Sequence, residues 1–311
     1  DMRAMLAGVS VRVQDTISED DFRRAVLAGY PDRLARRRAP GSDRLLLASG
    51  TGARLGRESG VVHHEFMVAI DVSAGDATGD AVVRMASGVE REWLVPTSST
   101  VEHTFDTEAG LVRARRVSRY DAITLSSTDT AVDADEAAVL MREALLARGP
   151  DAATQRLLAR CRAAGLDITF DALVEAVAPA VRRIDEARVV EGLPGHLARQ
   201  LARDAPVDLA LPSGRRAALD YRDDGRIVAA VKLQELFGLT DTPRIGVART
   251  PVTFELLAPS GRPVQVTSDL RSFWQSGYQE VRKELRARYP RHPWPEDPWT
   301  AQPTHRTVKR P

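Results

Sequence analysis

The sequence predicts a multidomain α+β protein: the end of a helical domain, a small β-barrel, a helical layer and an α+β C-terminal domain. Three observations lead there. A chain of 311 residues that is 43% hydrophobic and 28% charged is too long for one ordinary core and too apolar to be disordered. Its texture changes from helical spacing to short β-type runs near residue 40 and back to helical spacing near residue 131. The last third mixes strand-like runs, hairpin turns and one long amphipathic pattern.

Ser18-Glu19-Asp20-Asp21 has the form of a helix N-terminus, with acids in the first turn and Phe22, Val26 and Leu27 following at helical spacing. That helix is expected to end near Gly29. Pro31 restarts a short segment that closes on Arg36-Arg37-Arg38, and Pro40-Gly41-Ser42 breaks it. Residues 1–40 therefore read as the end of a helical domain, and the start at Asp1 as a piece cut from something longer. From Leu45 the pattern turns to strands: 45–47, 65–71, 81–85, 99–105, 111–117 and 122–125, separated by Gly and Asp clusters. With 90–93 as a helical insertion, residues 41–130 fit an OB-like barrel, and periodicity alone also allows an SH3-like one.

Residues 131–204 form the helical layer. Val139, Leu140, Ala144 and Leu145 mark one helix and Leu157, Leu158, Cys161 and Ala164 the next, divided by Gly149-Pro150. Asp129, Asp133, Asp135 and Glu136 read as its acidic cap. Residues 205–311 make the α+β domain with a Pro-rich tail. Strands are expected at 207–211, 217–221, 252–257 and 263–266, with turns at Ser213-Gly214 and Ser260-Gly261. A short helix at 232–237 closes on Gly238. A long helix, capped by Thr267 or Ser268, carries Leu270, Phe273, Trp274, Tyr278, Val281 and Leu285 on one face and Arg271, Arg282, Lys283 and Arg286 on the other.

Composition narrows the chemistry. The 44 Lys and Arg against 43 Asp and Glu give no global pull toward nucleic acid, so any basic surface is local. Only three of the 44 cations are lysines, a skew that follows from GC-rich codon usage. The single cysteine, Cys161, allows neither an internal disulfide nor a Cys-based zinc cluster, and a reducing cytoplasm is the expected setting. No run is long and apolar enough for a membrane span.

No Gly-Lys dipeptide occurs, so the chain has no P-loop to cradle phosphates and is expected neither to hydrolyse ATP nor to carry a cofactor of its own. Gly50-Thr51-Gly52-Ala53-Arg54-Leu55-Gly56 reads as a turn between barrel strands, with Arg54 as a phosphate contact. His63 and His64, adjacent on a strand, point to opposite faces and do not share a metal. Asp135-Glu136-Ala137 opens a helix and does not end a buried strand, so its likeness to an acidic nucleotidase box is chance. Asp220, Asp223 and Asp224 read as solvated turn residues.

Two features point to nucleic acid. Arg33, Arg36, Arg37 and Arg38 precede the barrel, where they either meet a phosphate backbone or form a solvated helix end. From Arg282 onward eight cations face three acids, interleaved with Tyr289, Trp294 and Trp299. That mix either stacks on bases, with Trp294 as the anchor, or packs as a Pro-rich strap on its own domain.

Three segments of the last third resemble successive parts of the C-terminal domain of HrpB-type helicases, a branch of the DEAH-box superfamily. They are Leu233-Gln234-Glu235-Leu236-Phe237-Gly238-Leu239, Gly261-Arg262-Pro263-Val264-Gln265-Val266-Thr267 and Glu280-Val281-Arg282-Lys283-Glu284-Leu285-Arg286. The run from Tyr289 to Pro298, with Ala301, Pro303, Thr304 and Lys309, is similar to that family's closing signature. Upstream, the run from Ala28 to Arg37 resembles the junction of a helical, ratchet-like domain with an OB fold, and Gly50-Thr51-Gly52-Ala53 its Gly-rich hairpin. The resemblance implies a parent in which two RecA-like motor domains bind ATP and Mg and precede everything present here. It implies an accessory part that guides single-stranded RNA or DNA and supports the motor; the basic segments and the barrel turn themselves point to Arg36, Arg37, Arg38, Arg54, Arg282, Lys283, Arg286 and Trp294 as the contacts. The alternative is a protein interaction module that touches no nucleic acid.

Overall fold

The computed structural model describes residues 17–73 and 81–304. The chain divides into two compact units, residues 1–104 with 113–133 and residues 105–112 with 134–311.

The first unit opens with helix α1 (Glu19–Gly29), capped by the Ser18 hydroxyl, which accepts from the Asp21 amide at 3.1 Å. Strands β1 (Leu34–Arg37), β2 (Arg44–Leu47), β3 (Gly52–Leu55), β4 (Phe66–Ser73) and β5 (Ala81–Val89) follow and close into a barrel in the order β1-β2-β3-β5-β4. All neighbours are antiparallel except β3 and β5, which run parallel. Alternation builds two cores from one set of strands. Ala35, Leu45, Ala53, Met67, Ala69 and Val83 form one, while Leu34, Phe66, Val68 and Val89 turn the other way to meet Val26, Leu27, Ile123 and Leu125. Phe66 to Ala69 are therefore all buried, and the run reads as continuously apolar.

Two expectations are corrected here. The segment ending in Arg36-Arg37-Arg38 is not helical: after a single 3-10 turn at Pro31–Arg33 it becomes β1, which pairs with both β2 and β4 and closes the barrel. The arginines hid an alternation that only Leu34 and Ala35 display. The strands after residue 97 do not join the barrel: β6 (Ser98–Asp106), β7 (Leu111–Tyr120) and β8 (Ile123–Thr130) make a separate three-stranded sheet. Between the two sheets lies a 3-10 turn at Arg91–Trp93.

In the second unit, helices α2 (Ala134–Arg148), α3 (Ala152–Ala163), α4 (Phe170–Val177) and α5 (Gly195–Asp204) form the helical layer. Asp151 caps α3, accepting from the Thr154 amide at 2.8 Å, and that bond holds its carboxyl below the usual range. Strands β9 (Asp208–Ala210) and β10 (Arg216–Ala218) form a hairpin. Beside it, β11 (Asp220–Tyr221), β12 (Ile227–Lys232), β13 (Arg244–Ile245), β14 (Thr250–Leu257) and β15 (Pro263–Thr267) build a five-stranded sheet. Its centre, β12, was not foreseen as a strand, because Ala229 and Ala230 dilute the β-branched signal. It runs parallel to β14 and is buried at Ile227, Val228, Ala229 and Val231. Gly246, at φ +78°, lies so close to α3 that an added Cβ would stand 2.3 Å from the Ala163 carbonyl oxygen. Only glycine allows that approach.

The long C-terminal helix is one path in three parts: α6 (Leu270–Ser272), a π-helical turn at Phe273–Gly277, and α7 (Tyr278–Arg288). Its cap is Asp269, which accepts from the Ser272 amide at 3.0 Å, in place of the expected Thr267 or Ser268; the Thr267 hydroxyl accepts from the Asp269 amide instead. Trp274 and Tyr278 meet edge to face at 5.4 Å inside the unit's main core.

Candidate nucleic-acid interface

The barrel register sets three arginines side by side. β1 and β2 pair Arg37 with Leu45, and the ladder continues in a 2.9 Å bond from the Arg38 amide to the Arg44 carbonyl. β2 and β3 then pair Arg44 with Arg54. Adjacent strands lie about 4.8 Å apart, so Arg38, Arg44 and Arg54 form a row about 10 Å long across three strands. Like charges directly opposite each other are destabilising unless an anion lies between them. Asp43 meets Arg54 at 3.5 Å, and the side chains of Arg38 and Arg44 are exposed.

The neighbouring arginines serve the framework. Arg37 is 7% exposed, and its guanidinium donates to the carbonyls of Ser42, His64, Val61 and Val62, the last three at 2.9, 2.7 and 3.2 Å. It ties the loops at one end of the barrel, with all three guanidinium nitrogens already donating to backbone carbonyls. Arg36 pairs with Glu65 at 2.8 Å and donates to the Thr124 carbonyl at 2.7 Å. Arg36, Arg37 and Arg38 line a groove of about 300 Å³ with Ala39, Pro40, Gly41, His63 and Glu65. His64 turns elsewhere, with Nε2 2.6 Å from Arg23 and 3.3 Å from Glu90. Among the described residues no cluster of three or more His, Cys, Asp or Glu could hold a metal ion, and no helix is long and apolar enough to cross a membrane.

In the second unit the segment after α7 folds back as a strap. Trp294 is 8% exposed, its indole N–H donates to the Tyr289 carbonyl at 2.9 Å, and its own carbonyl accepts from Arg282 Nε at 2.9 Å. The Tyr278 hydroxyl donates to the Pro295 carbonyl at 2.8 Å, and burial holds that hydroxyl far above its ordinary pKa. The amides of Gly238 and Thr304 link residues 234–238 to the strap through Pro298 and Gln234, both at 3.0 Å. Trp294 is thus a core residue and not a platform for bases, and Arg282, which also pairs with Glu296 at 3.1 Å, is a strap anchor. Lys283 and Arg286 remain exposed on α7. Arg306, Lys309 and Arg310, counted with this basic segment, lie outside the described residues.

Residues 175–298 match the family described as HrpB-type ATP-dependent helicase C-terminal. The chain is 32% identical over 321 residues to ATP-dependent RNA helicase HrpB of Escherichia coli (strain K12), an alignment covering 91% of the chain and 39% of that protein. The chain belongs to the HrpB family. It is also similar to the crystal structure of the E. coli DExH-box NTPase HrpB, at TM-score 0.53 and 28% identity, over 98% of the chain and 42% of that structure. It spans about two fifths of the length of these HrpB relatives and corresponds to their C-terminal region. The sequence of this HrpB-family chain contains no Gly-Lys dipeptide. Arg44 is the member of the basic row that sequence reading missed, because a cross-strand partner is visible only once the register is known.

Proposed function

We propose that this chain is the accessory part of an ATP-dependent RNA helicase and that its OB-like barrel guides single-stranded nucleic acid past a motor it does not itself contain. The row of Arg38, Arg44 and Arg54 carries the proposal. Three guanidiniums aligned across strands form a track for consecutive phosphates, and binding releases counterions. The five-strand order of the barrel, with its single parallel pair, supports the OB-like reading. Lys283 and Arg286 offer a second, smaller cationic face on α7. The name of the E. coli relative supports the helicase assignment, in which RecA-like domains of the parent supply ATP and Mg chemistry in the cytoplasm.

Titration of the chain with single- and double-stranded RNA and DNA at several salt concentrations tests the proposal. Charge reversal at Arg38 and Arg44 together is expected to weaken binding to single strands and to flatten the salt slope by about 0.7 for each lost phosphate contact. Binding that is absent at low salt, or unchanged in the double variant, overturns it.

A further inference from the structure

We propose that the groove between α3 and β11 docks an acidic, aliphatic peptide segment of a partner protein. The groove has a volume of about 390 Å³ and lies wholly within the second unit. Leu157, Val190, Val207 and Leu219 give it an apolar wall, and Val207 is 58% exposed although it is a β-branched aliphatic residue. Arg156 and Arg160, one helical turn apart on α3, form its rim.

Arg160 is held in place for a ligand. Its Nε and one terminal nitrogen both donate to the Ala205 carbonyl, at 3.0 and 2.8 Å, and its guanidinium lies 6.0 Å from the Tyr221 ring centre. Two bonds to one neutral oxygen fix the fork without neutralising it, and its other terminal nitrogen keeps its donors. Arg156 bonds only to the Ala152 carbonyl of its own helix, through Nε at 3.0 Å. The one acid on the wall, Asp220, is engaged by Arg222 at 3.2 Å. Two cations without a carboxylate partner beside an aliphatic wall fit a carboxylate next to an aliphatic side chain, with both terminal nitrogens of Arg156 and one of Arg160 available as charged donors.

The alternatives fit less well. A nucleotide requires a ring face for its base, and the only aromatic residue of the groove, Tyr221, is 5% exposed with its hydroxyl bonded to the Pro206 carbonyl at 2.6 Å. A lone small anion leaves the apolar wall uncovered. Length also favours a peptide, because a second groove of about 420 Å³ continues past Arg156, Asp220 and Tyr221 toward Gln155.

The test uses the intact chain and a fluorescent peptide of alternating Glu and Leu, read by anisotropy, beside Lys-Leu and Glu-Ser counterparts and a single-stranded oligoribonucleotide. The Glu-Leu peptide is expected to bind, and each counterpart to bind roughly tenfold or more weakly, since a charge-assisted bond or a buried aliphatic side chain is each worth about that factor. Arg156→Glu and Val207→Asp change exposed side chains and are expected to keep the melting temperature while each weakens the Glu-Leu peptide about tenfold. Equal binding of the Lys-Leu peptide, or unchanged binding in both folded variants, overturns the proposal. Loss of oligoribonucleotide binding in Arg156→Glu, with no peptide bound by the parent chain, overturns it in favour of a nucleic-acid contact.

Discussion

The barrel and the C-terminal strap carry similar sequence signals and use them in opposite ways. Each holds a cluster of arginines, and the strap adds tryptophans, the composition that suggests phosphate and base contact. In the strap the fold engages Trp294, which is buried, and Arg282, which donates to its carbonyl and pairs with Glu296. In the barrel the fold engages Arg33, Arg36 and Arg37 and leaves Arg38 and Arg44 on the outside beside Arg54. A basic or aromatic residue is available for binding only when the backbone has not already claimed its donors. That availability depends on register and packing, not on composition.

The sharpest way to break this contrast is Trp294→Ala. If the indole is a core group, its removal leaves a cavity between the strap and α7 and is expected to destabilise the second unit by roughly 3 to 5 kcal/mol. Below the melting range, affinity for single-stranded RNA should stay that of the parent chain. A variant that melts normally but binds RNA more weakly would return Trp294 to the nucleic-acid surface and erase the difference between the two regions.

Within the barrel, Arg37 and Arg38 are neighbours with opposite expected phenotypes. Arg37→Ala strands four carbonyls that its guanidinium now satisfies, in a site nearly closed to water. A loss of roughly 2 to 4 kcal/mol of stability should follow, with the salt slope unchanged. Arg38→Ala is expected to stay within about 0.5 kcal/mol of the parent in stability and to lower the slope by about 0.7. Urea unfolding and RNA titration of both variants separate the roles. If Arg37→Ala melted normally, or if Arg38→Ala destabilised the barrel, the division of labour between adjacent arginines would be wrong.

Much of this architecture was legible in the sequence where one physical signal dominated. Ser18 before three acids located the start of α1, and the 3.6-residue spacing located α2 and α3. Gly238, at φ +79°, follows a 3-10 turn at Leu233–Leu236, where a short helix over 232–237 closing on Gly238 is expected. The signal failed where two requirements overlapped. β1 looks like a solvated basic segment because its two apolar residues, Leu34 and Ala35, serve opposite faces and are followed by three arginines. β12, covered on both faces, shows no alternation for a pattern to reveal. The binding row was half legible: Arg38 and Arg54 stood out locally, whereas Arg44 acquires meaning only from the strand opposite. Trp294 was legible as a large apolar group in a Pro-rich strap, but the Tyr289 carbonyl that takes its N–H is a tertiary fact.

The mildest test of the contrast is a titration of the strap. His292 follows the first turn after α7, with its amide bonded to the Tyr289 carbonyl at 3.1 Å and its ring edge-to-face with Tyr289 at 6.4 Å. Burial, and next the charge of Lys232, hold its imidazole below the ordinary value of about 6.5, and Nδ1 is buried without a hydrogen-bond partner. The folded state therefore resists a proton that the unfolded chain accepts. Where the unfolded chain binds more protons, stability rises with pH. The contribution of His292 is complete above about pH 6.5 and is lost as pH falls from there through the lower folded value. The melting temperature of the second unit is expected to fall modestly over that window, and His292→Gln, which cannot take the proton, should flatten this part of the fall. The barrel's basic row contains no group that titrates in this range, so salt-matched RNA affinity should not follow the same curve. Parallel melting curves for parent and variant across the window would mean that His292 is solvated and that the strap is less tightly docked than Trp294 indicates.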